Sequence, residues 1–224
     1  KLFVVEASGR NGSTGLTTYS LLVSDGTAAG THAFASVVPV DSNFLFGTVA
    51  VANGRIFYRN NGGTLGGGVE LWSSDGTQAG TAMVKDIIPG RNGSYPNKLT
   101  PVGDAVLFNV SSTSNSSVYD QLWKSDGTAA GTVEVAAVPT GAGNGASAVA
   151  GAAGKIYYAA GGHVFGAGAT PAAATDLTPP GVTQSSSLVP LGNGVLFYAT
   201  DTVHGAEMWF TGGTAGGTRV IDLT

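Results

Sequence analysis

Short apolar runs, most of them opened by glycine or aspartate, recur along the whole chain. Five of them, Leu2-Phe3-Val4, Ile56-Phe57-Tyr58, Leu107-Phe108-Asn109, Ile156-Tyr157-Tyr158 and Leu196-Phe197-Tyr198, are β-branched or aromatic and too short for helices. They predict buried strands. Before four of them stands another short run that ends in a turn: "TVAVANG", "LTPVGD", "AVAGAAG" and "LVPLGNG". After each comes a repeated phrase, in its fullest forms "ELWSSDGTQAGT" (Glu70 to Thr81) and "QLWKSDGTAAGT" (Gln121 to Thr132). Partial forms are "LLVSDGTAAGT" from Leu21, "HVFGAGATPAAA" from His163 and "EMWFTGGTAGGT" from Glu207. A further strand pattern follows every phrase, from "THAFASVV" to "TRVIDLT".

The first threonine of each phrase falls at 27, 77, 128, 170 and 214, in steps of 50, 51, 42 and 44 residues. Periods of this size mark propellers and solenoids. Each unit holds four short strands joined by hairpins, with no amphipathic helix, so the expected fold is an all-β, five-bladed β-propeller of four-stranded antiparallel blades. Its blades would cover about 1–40, 41–90, 91–140, 141–180 and 181–224 of a single domain. The first blade lacks its innermost strand, because Lys1 already begins a second strand. That open edge is a place where a partner chain could complete the blade and make an oligomer.

Within the phrase, the Leu and Trp positions lie on the third strand, where an aromatic ring fills the space between blades. Trp72, Trp123, Trp209 and the substituted Phe165 are therefore expected to pack, with sugar stacking as the rival reading. Asp25, Asp75 and Asp126 precede a glycine in the following turn, where a carboxylate can accept local backbone N–H bonds. One lone Asp per hairpin supplies no second metal ligand. The phrase builds the fold.

The large variation lies in the loops between second and third strands, "SGRNGSTGLTT", "RNNGGTLGGG", "SSTSNSSVYD", "AAGG" and "TDTVHGA". Loops on a rigid scaffold are where recognition lives. Arg10, Asn11, Arg59, Asn60, Asn61, Asn115, Tyr119 and Asp120, with Arg91, Asn92 and Tyr95 on a blade connection and Asp201 and His204 in the last loop, make that end amide- and hydroxyl-rich. This suits neutral polyhydroxyl ligands. Asp201, His204 and Glu207 are the candidate ligands of a metal ion, calcium being the ion such an oxygen-bearing loop would take. No other cofactor is expected, and no catalytic residue is assigned. His32 and His163 stand apart from any Ser or Cys nucleophile pattern, and the innermost runs carry one acid, Asp104, at a turn.

Only 11% of residues are charged and the net charge is −4, so no basic surface exists to hold nucleic acid. Cysteine is absent, which removes disulfides and Cys-based zinc sites. Glycine, at 36 residues, is more than twice its usual frequency of roughly 7% and signals many tight turns. No apolar run is long enough for a membrane helix. A start at Lys1 without signal-peptide architecture suggests a mature or excised form.

The phrases from Glu70 and Gln121, with "VKDIIPG" after the first and "DTVHGAEMW" in the last unit, resemble the ELWxxDGTxxGT repeats of bacterial extracellular proteins, sometimes called hyalin-like. The resemblance is strong in units two and three, partial in one and five and slight in four. It implies a secreted or cell-surface protein and no particular activity. The expectation is a non-enzymatic, lectin-like binding module for neutral glycans. A structural or matrix propeller contacting a surface protein is the alternative, and a glycan-active hydrolase the third.

Overall fold

The computed structural model describes residues 1–10, 12, 15, 17–37, 47–61, 68–111, 119–139, 145–168, 173–184 and 187–221. Among them there is no α-helix, and the strands form five antiparallel sheets. The chain divides into two compact units, Lys1–Ser116 with Lys124–Val133, and Ser117–Trp123 with Glu134–Thr224.

The first unit opens with a three-stranded sheet in the order β1 (Leu2–Arg10), β2 (Thr17–Ser24) and β3 (His32–Val37). Next is the four-stranded sheet β4 (Val49–Ala52), β5 (Arg55–Asn61), β6 (Val69–Ser74) and β7 (Ala82–Met83). In the third sheet, β8 (Asn97–Val102) and β9 (Ala105–Val110) belong to this unit. Its β10 (Gln121–Ser125) and β11 (Val133–Ala137) run across the division.

The second unit holds β12 (Ala148–Ala152), β13 (Lys155–Ala160), β14 (His163–Gly166) and β15 (Thr175–Asp176) in that order. Its other sheet runs β18 (Gly194–Asp201), β19 (Gly205–Thr211), β20 (Arg219–Ile221). Here β17 (Val189–Leu191) pairs with the start of β18, and the expected single inner strand is joined by a second piece, β16 (Thr183–Gln184), opposite Thr200 and Ala199. The eight-residue β18 is longer than β17 can cover.

Apart from β16, which pairs with β18 rather than β17, neighbours in sequence are neighbours in each sheet, the order expected from the run-turn-run pattern. Burial explains the composition. Ile56, Phe57 and Tyr58 of β5 are each at most 1% exposed, as are Tyr157 and Tyr158 of β13. A strand covered on both faces reads as a continuous apolar run rather than an alternation. In the first unit Leu21, Val23, Phe34, Ile56 and Tyr58 form one core, with Phe3 and Trp72 packed on it. In the second, Tyr157, Val164, Leu177, Val195, Phe197 and Trp209 lie in another. The packing role expected of Trp72 and Trp209 is met, and Phe165 stacks on Tyr158 with ring centres 5.1 Å apart.

Candidate functional site

The repeated phrase closes into the same hydrogen-bonded hairpin three times. In the second sheet, Asp75 Oδ1 accepts from Thr77 N at 2.9 Å and Thr77 Oγ1 at 2.7 Å. Thr77 Oγ1 in turn accepts from Gly80 N at 2.9 Å. Ser74 Oγ accepts from Gly76 N at 3.0 Å. The hydroxyl proton of Thr81 goes to Thr77 O at 2.6 Å, so in the 2.7 Å Ser74–Thr81 contact the serine donates. Asp25 and Asp126 repeat the pattern with Thr27 and Thr128. Their threonine donors hold all three carboxyls below the usual aspartate range. The aspartates are structural.

At the opposite end of the second sheet, Asn60 lies across from Glu70 and Asn61 across from Val69. The connection to the third sheet returns to this corner. Val69 N donates to Asn92 O at 3.0 Å, and Tyr95 N donates to Val69 O at 3.0 Å. Glu70 is fully buried and organises the crossing. Its Oε1 accepts from Ile88 N at 3.2 Å and Ser94 N at 3.0 Å, and its Oε2 from Ser94 Oγ. Burial pushes its carboxyl up to about 7 against the opposing pull of these donors, Ser94 first. With no exposed surface, the carboxyl cannot reach a substrate, and its chemistry is to hold the connection. Sequence reasoning missed Glu70 and Ser94. The available signal was an acid heading the phrase, at Glu70 and Glu207, where exposed strand residues would be arbitrary.

Of the residues expected at the loop end, Asn60, Asn61, Asn92 and Tyr95 come together around Val69, with Arg91 and Asn92 exposed. Arg10 ends β1, exposed, across from Thr17. Arg59 and Tyr119 are 5% and 6% exposed, so these two face the interior rather than a ligand. Asp120 is half-buried and its carbonyl accepts from Val138 N at 2.8 Å. Asn11 and Asn115 lie outside the described residues.

In the second unit, Asp201 Oδ2 meets His204 Nδ1 at 2.8 Å. Its Oδ1 accepts from Val203 N at 2.9 Å and His204 N at 2.5 Å. The His204 side chain, then its amide, hold Asp201 below its usual range. Glu207 sits in β19 across from Ala199. The carboxylate of Asp201 is thus engaged by its own loop. Among the described residues no group of three His, Cys, Asp or Glu is placed to hold a metal ion, which corrects the expectation of an Asp201–His204–Glu207 cluster. His163, expected to stand alone, pairs with Asp176 Oδ2 at 2.9 Å because β14 and β15 are neighbours.

No family model matches the chain, and no curated protein does. Solved structures do. The chain is similar to a puromycin hydrolase, at 16% identity and a TM-score of 0.54, over 93% of this chain and 33% of that one. It is also similar to the β-propeller domain of the Trilobed protease from Pyrococcus furiosus (8% identity, 97% and 62% covered, TM-score 0.49). A third likeness is to an acylaminoacyl peptidase from Pyrococcus horikoshii (9%, 91% and 30%, TM-score 0.49). The chain spans about a third of the length of the puromycin hydrolase. The likeness to part of the puromycin hydrolase corrects the expected lectin-like module for neutral glycans, and what it shows is a shared fold, over 93% of this chain and 33% of that one. No helix among the described residues is long and apolar enough to cross a membrane.

Proposed function

We propose that this chain is a five-bladed β-propeller that serves as the non-catalytic part of a hydrolase-type protein acting on short peptides or aminoacyl compounds. The observation that carries the reading is coverage: 93% of this chain matches only 33% of a puromycin hydrolase. The site geometry is consistent with a scaffold role. The phrase aspartates are engaged by their own threonines, and Glu70 is sealed from solvent. The exposed residues Asn61, Arg91 and Asn92 of the first unit offer amide and guanidinium donors suited to peptide carbonyls and carboxylates. A place outside the cell belongs to the same reading and rests on the extracellular-repeat resemblance of the phrase.

The test incubates the purified chain with tripeptides and tripeptide naphthylamides, following retention by equilibrium dialysis and cleavage by naphthylamine fluorescence. Retention without cleavage is the expected result. Cleavage would move the catalytic centre into this chain and overturn the non-catalytic assignment. Absence of both retention and cleavage would overturn the peptide reading.

A further inference from the structure

Three hydrogen bonds gather one segment of the chain onto the carboxyl of Glu70. Between Ile87 and Ser94, both buried, the connection from the second sheet to the third runs through Ile88, Pro89, Gly90, Arg91, Asn92 and Gly93. Pro89 to Asn92 are exposed, so this stretch has no apolar anchor of its own. It lies backbone to backbone on the start of β6: a β-carbon at Gly68 would stand 2.5 Å from Gly93 N, and one at Gly93 would stand 2.3 Å from Val69 N. What fastens it is polar. Ile88 N and Ser94 N donate to Glu70 Oε1, Ser94 Oγ donates to Oε2, and Val69 N donates to Asn92 O. Segments held by hydrogen bonds with few apolar contacts open at a lower cost than the whole fold.

No cation balances that carboxyl. The titratable groups on the elements around it are Arg55, Tyr58 and Arg59 of β5, Lys85, Asp86, Arg91 and Tyr95 of the connection and Lys98 of β8. No side chain among them is bonded to Glu70, and Lys85 Nζ donates instead to Thr132 O at 2.9 Å. Across the ladder from Glu70 stands the neutral Asn60, and residues 62–67 carry no ionisable side chain. A neutral carboxyl suits such a site: one oxygen accepts both amides, while its O–H and the serine hydroxyl share the third bond. An ionised one puts a charge where there is no exposed surface and only neutral donors, and the cost of that burial exceeds what the donors return. Moving the segment aside lets water reach the charge.

We propose that residues 88–94 form a pH-operated strap, held on the second sheet while Glu70 is neutral and released into solvent when Glu70 ionises. Burial pushes the carboxyl up to about 7, so the release falls in the neutral range. The strap carries Arg91 and Asn92, and its release disperses these exposed donors. That consequence for peptide retention rests on the peptide reading above, while the release itself does not.

Amide exchange of the intact 224-residue chain, with no peptide present, tests the release. Protection factors, which divide out the intrinsic exchange rate, are read at Val69, Ile88 and Ser94 at pH 5.5 and pH 8.5. A loss of at least about tenfold is expected in the parent chain and none in Glu70→Gln, whose side-chain oxygen keeps both backbone donors. Low urea separates release from unfolding. At pH 8.5 the three amides should exchange at rates that sub-denaturing urea leaves unchanged, because a strap exposes little surface, while those of Phe57 and Tyr58 in β5 should follow the urea concentration. This comparison needs only the parent chain and stands even where the variant does not fold. Equal urea dependence at the strap and at β5, equal protection at the two pH values, or a Glu70→Gln response equal to the parent's would each overturn the strap.

Discussion

The carboxylate of Asp75 occupies the place where a side chain at Gly80 would begin: a β-carbon there would stand 2.2 Å from Oδ1 and 2.4 Å from Cγ. The same holds for Asp25 with Gly30 and Asp126 with Gly131, at 2.1 and 2.2 Å from Oδ1. Aspartate and glycine in the phrase are thus one device, in which the absent side chain makes room for the turn's acceptor. Gly80→Ala should cost about 2 kcal/mol, the range of forced overpacking, and chemical denaturation would measure it. A loss of only a few tenths would mean that the carboxylate swings clear at no cost.

The turn glycines separate two effects. Gly26 and Gly76 have nearly equal backbones, φ 95° and 93°. A β-carbon at Gly26 meets nothing within 4 Å, while at Gly76 it meets Val23 of the first sheet at 2.9 Å from Cγ2 and 3.0 Å from Cβ. Gly26→Ala should therefore show backbone strain alone, about 1 kcal/mol, and Gly76→Ala at least about 1 kcal/mol more. Equal losses in urea denaturation would show that Val23 and the turn move apart freely.

These hairpins were legible in the sequence because everything they need is local: Asp75, Thr77 and Gly80 lie within six residues and recur. Most of the strand order was legible for the same reason, strands within a sheet pairing with the next in sequence, while β16, which pairs with β18 across β17, was not. The corner around Glu70 was not. Its partners, Ile88 and Ser94, are 18 and 24 residues away, and nothing in a single phrase announces that its first acid is buried rather than solvated. The His163–Asp176 pair was hidden likewise by a connection between β14 and β15. Arg59 and Tyr119 misled because an arginine or tyrosine beside a polar loop looks available, while the fold of the strand ends buries both.

Glu70 imposes a pH dependence whose sign is opposite to that of an exposed, paired acid. Burial raises its folded pKa to about 7, above the usual glutamate value, so the folded state holds the proton more tightly. The stabilisation is fully present below about pH 4.5 and is lost as pH rises through 7, by about 3 kcal/mol in total. Glu70→Gln, which cannot ionise, should remove this slope. Urea midpoints of the two proteins at pH 5 and pH 8 give the difference directly, with the histidines cancelling because both proteins carry them. A Glu70→Gln profile parallel to the parent's would assign the slope elsewhere.

The fifth hairpin lacks the carboxylate and can be given one. Thr211 takes the serine's place, accepting from Gly213 N at 3.3 Å and from Thr218 Oγ1 at 2.8 Å, and Gly213 has the φ of 93° seen in the other turns. Gly212 stands where Asp75 stands in the second sheet. Its backbone is outside the left-handed region, and a β-carbon there would meet nothing closer than 3.9 Å. Gly217 keeps the matching position free of a side chain. Gly212→Asp should therefore stabilise the chain by about 0.5 to 1 kcal/mol, part by restricting the unfolded chain and part by new bonds from the amide and hydroxyl of Thr214. Gly212→Ala supplies only the first part, so the aspartate variant should exceed it. The excess should behave as the threonine-bound aspartates do, whose folded pKa values are lowered. It should be present above the unfolded aspartate pKa near 3.9 and vanish as pH falls through the lower folded value. Equal midpoints for the two variants at pH 7 would show that the short 3-10 turn at Ala215–Gly217 holds Thr214 away from the new carboxylate.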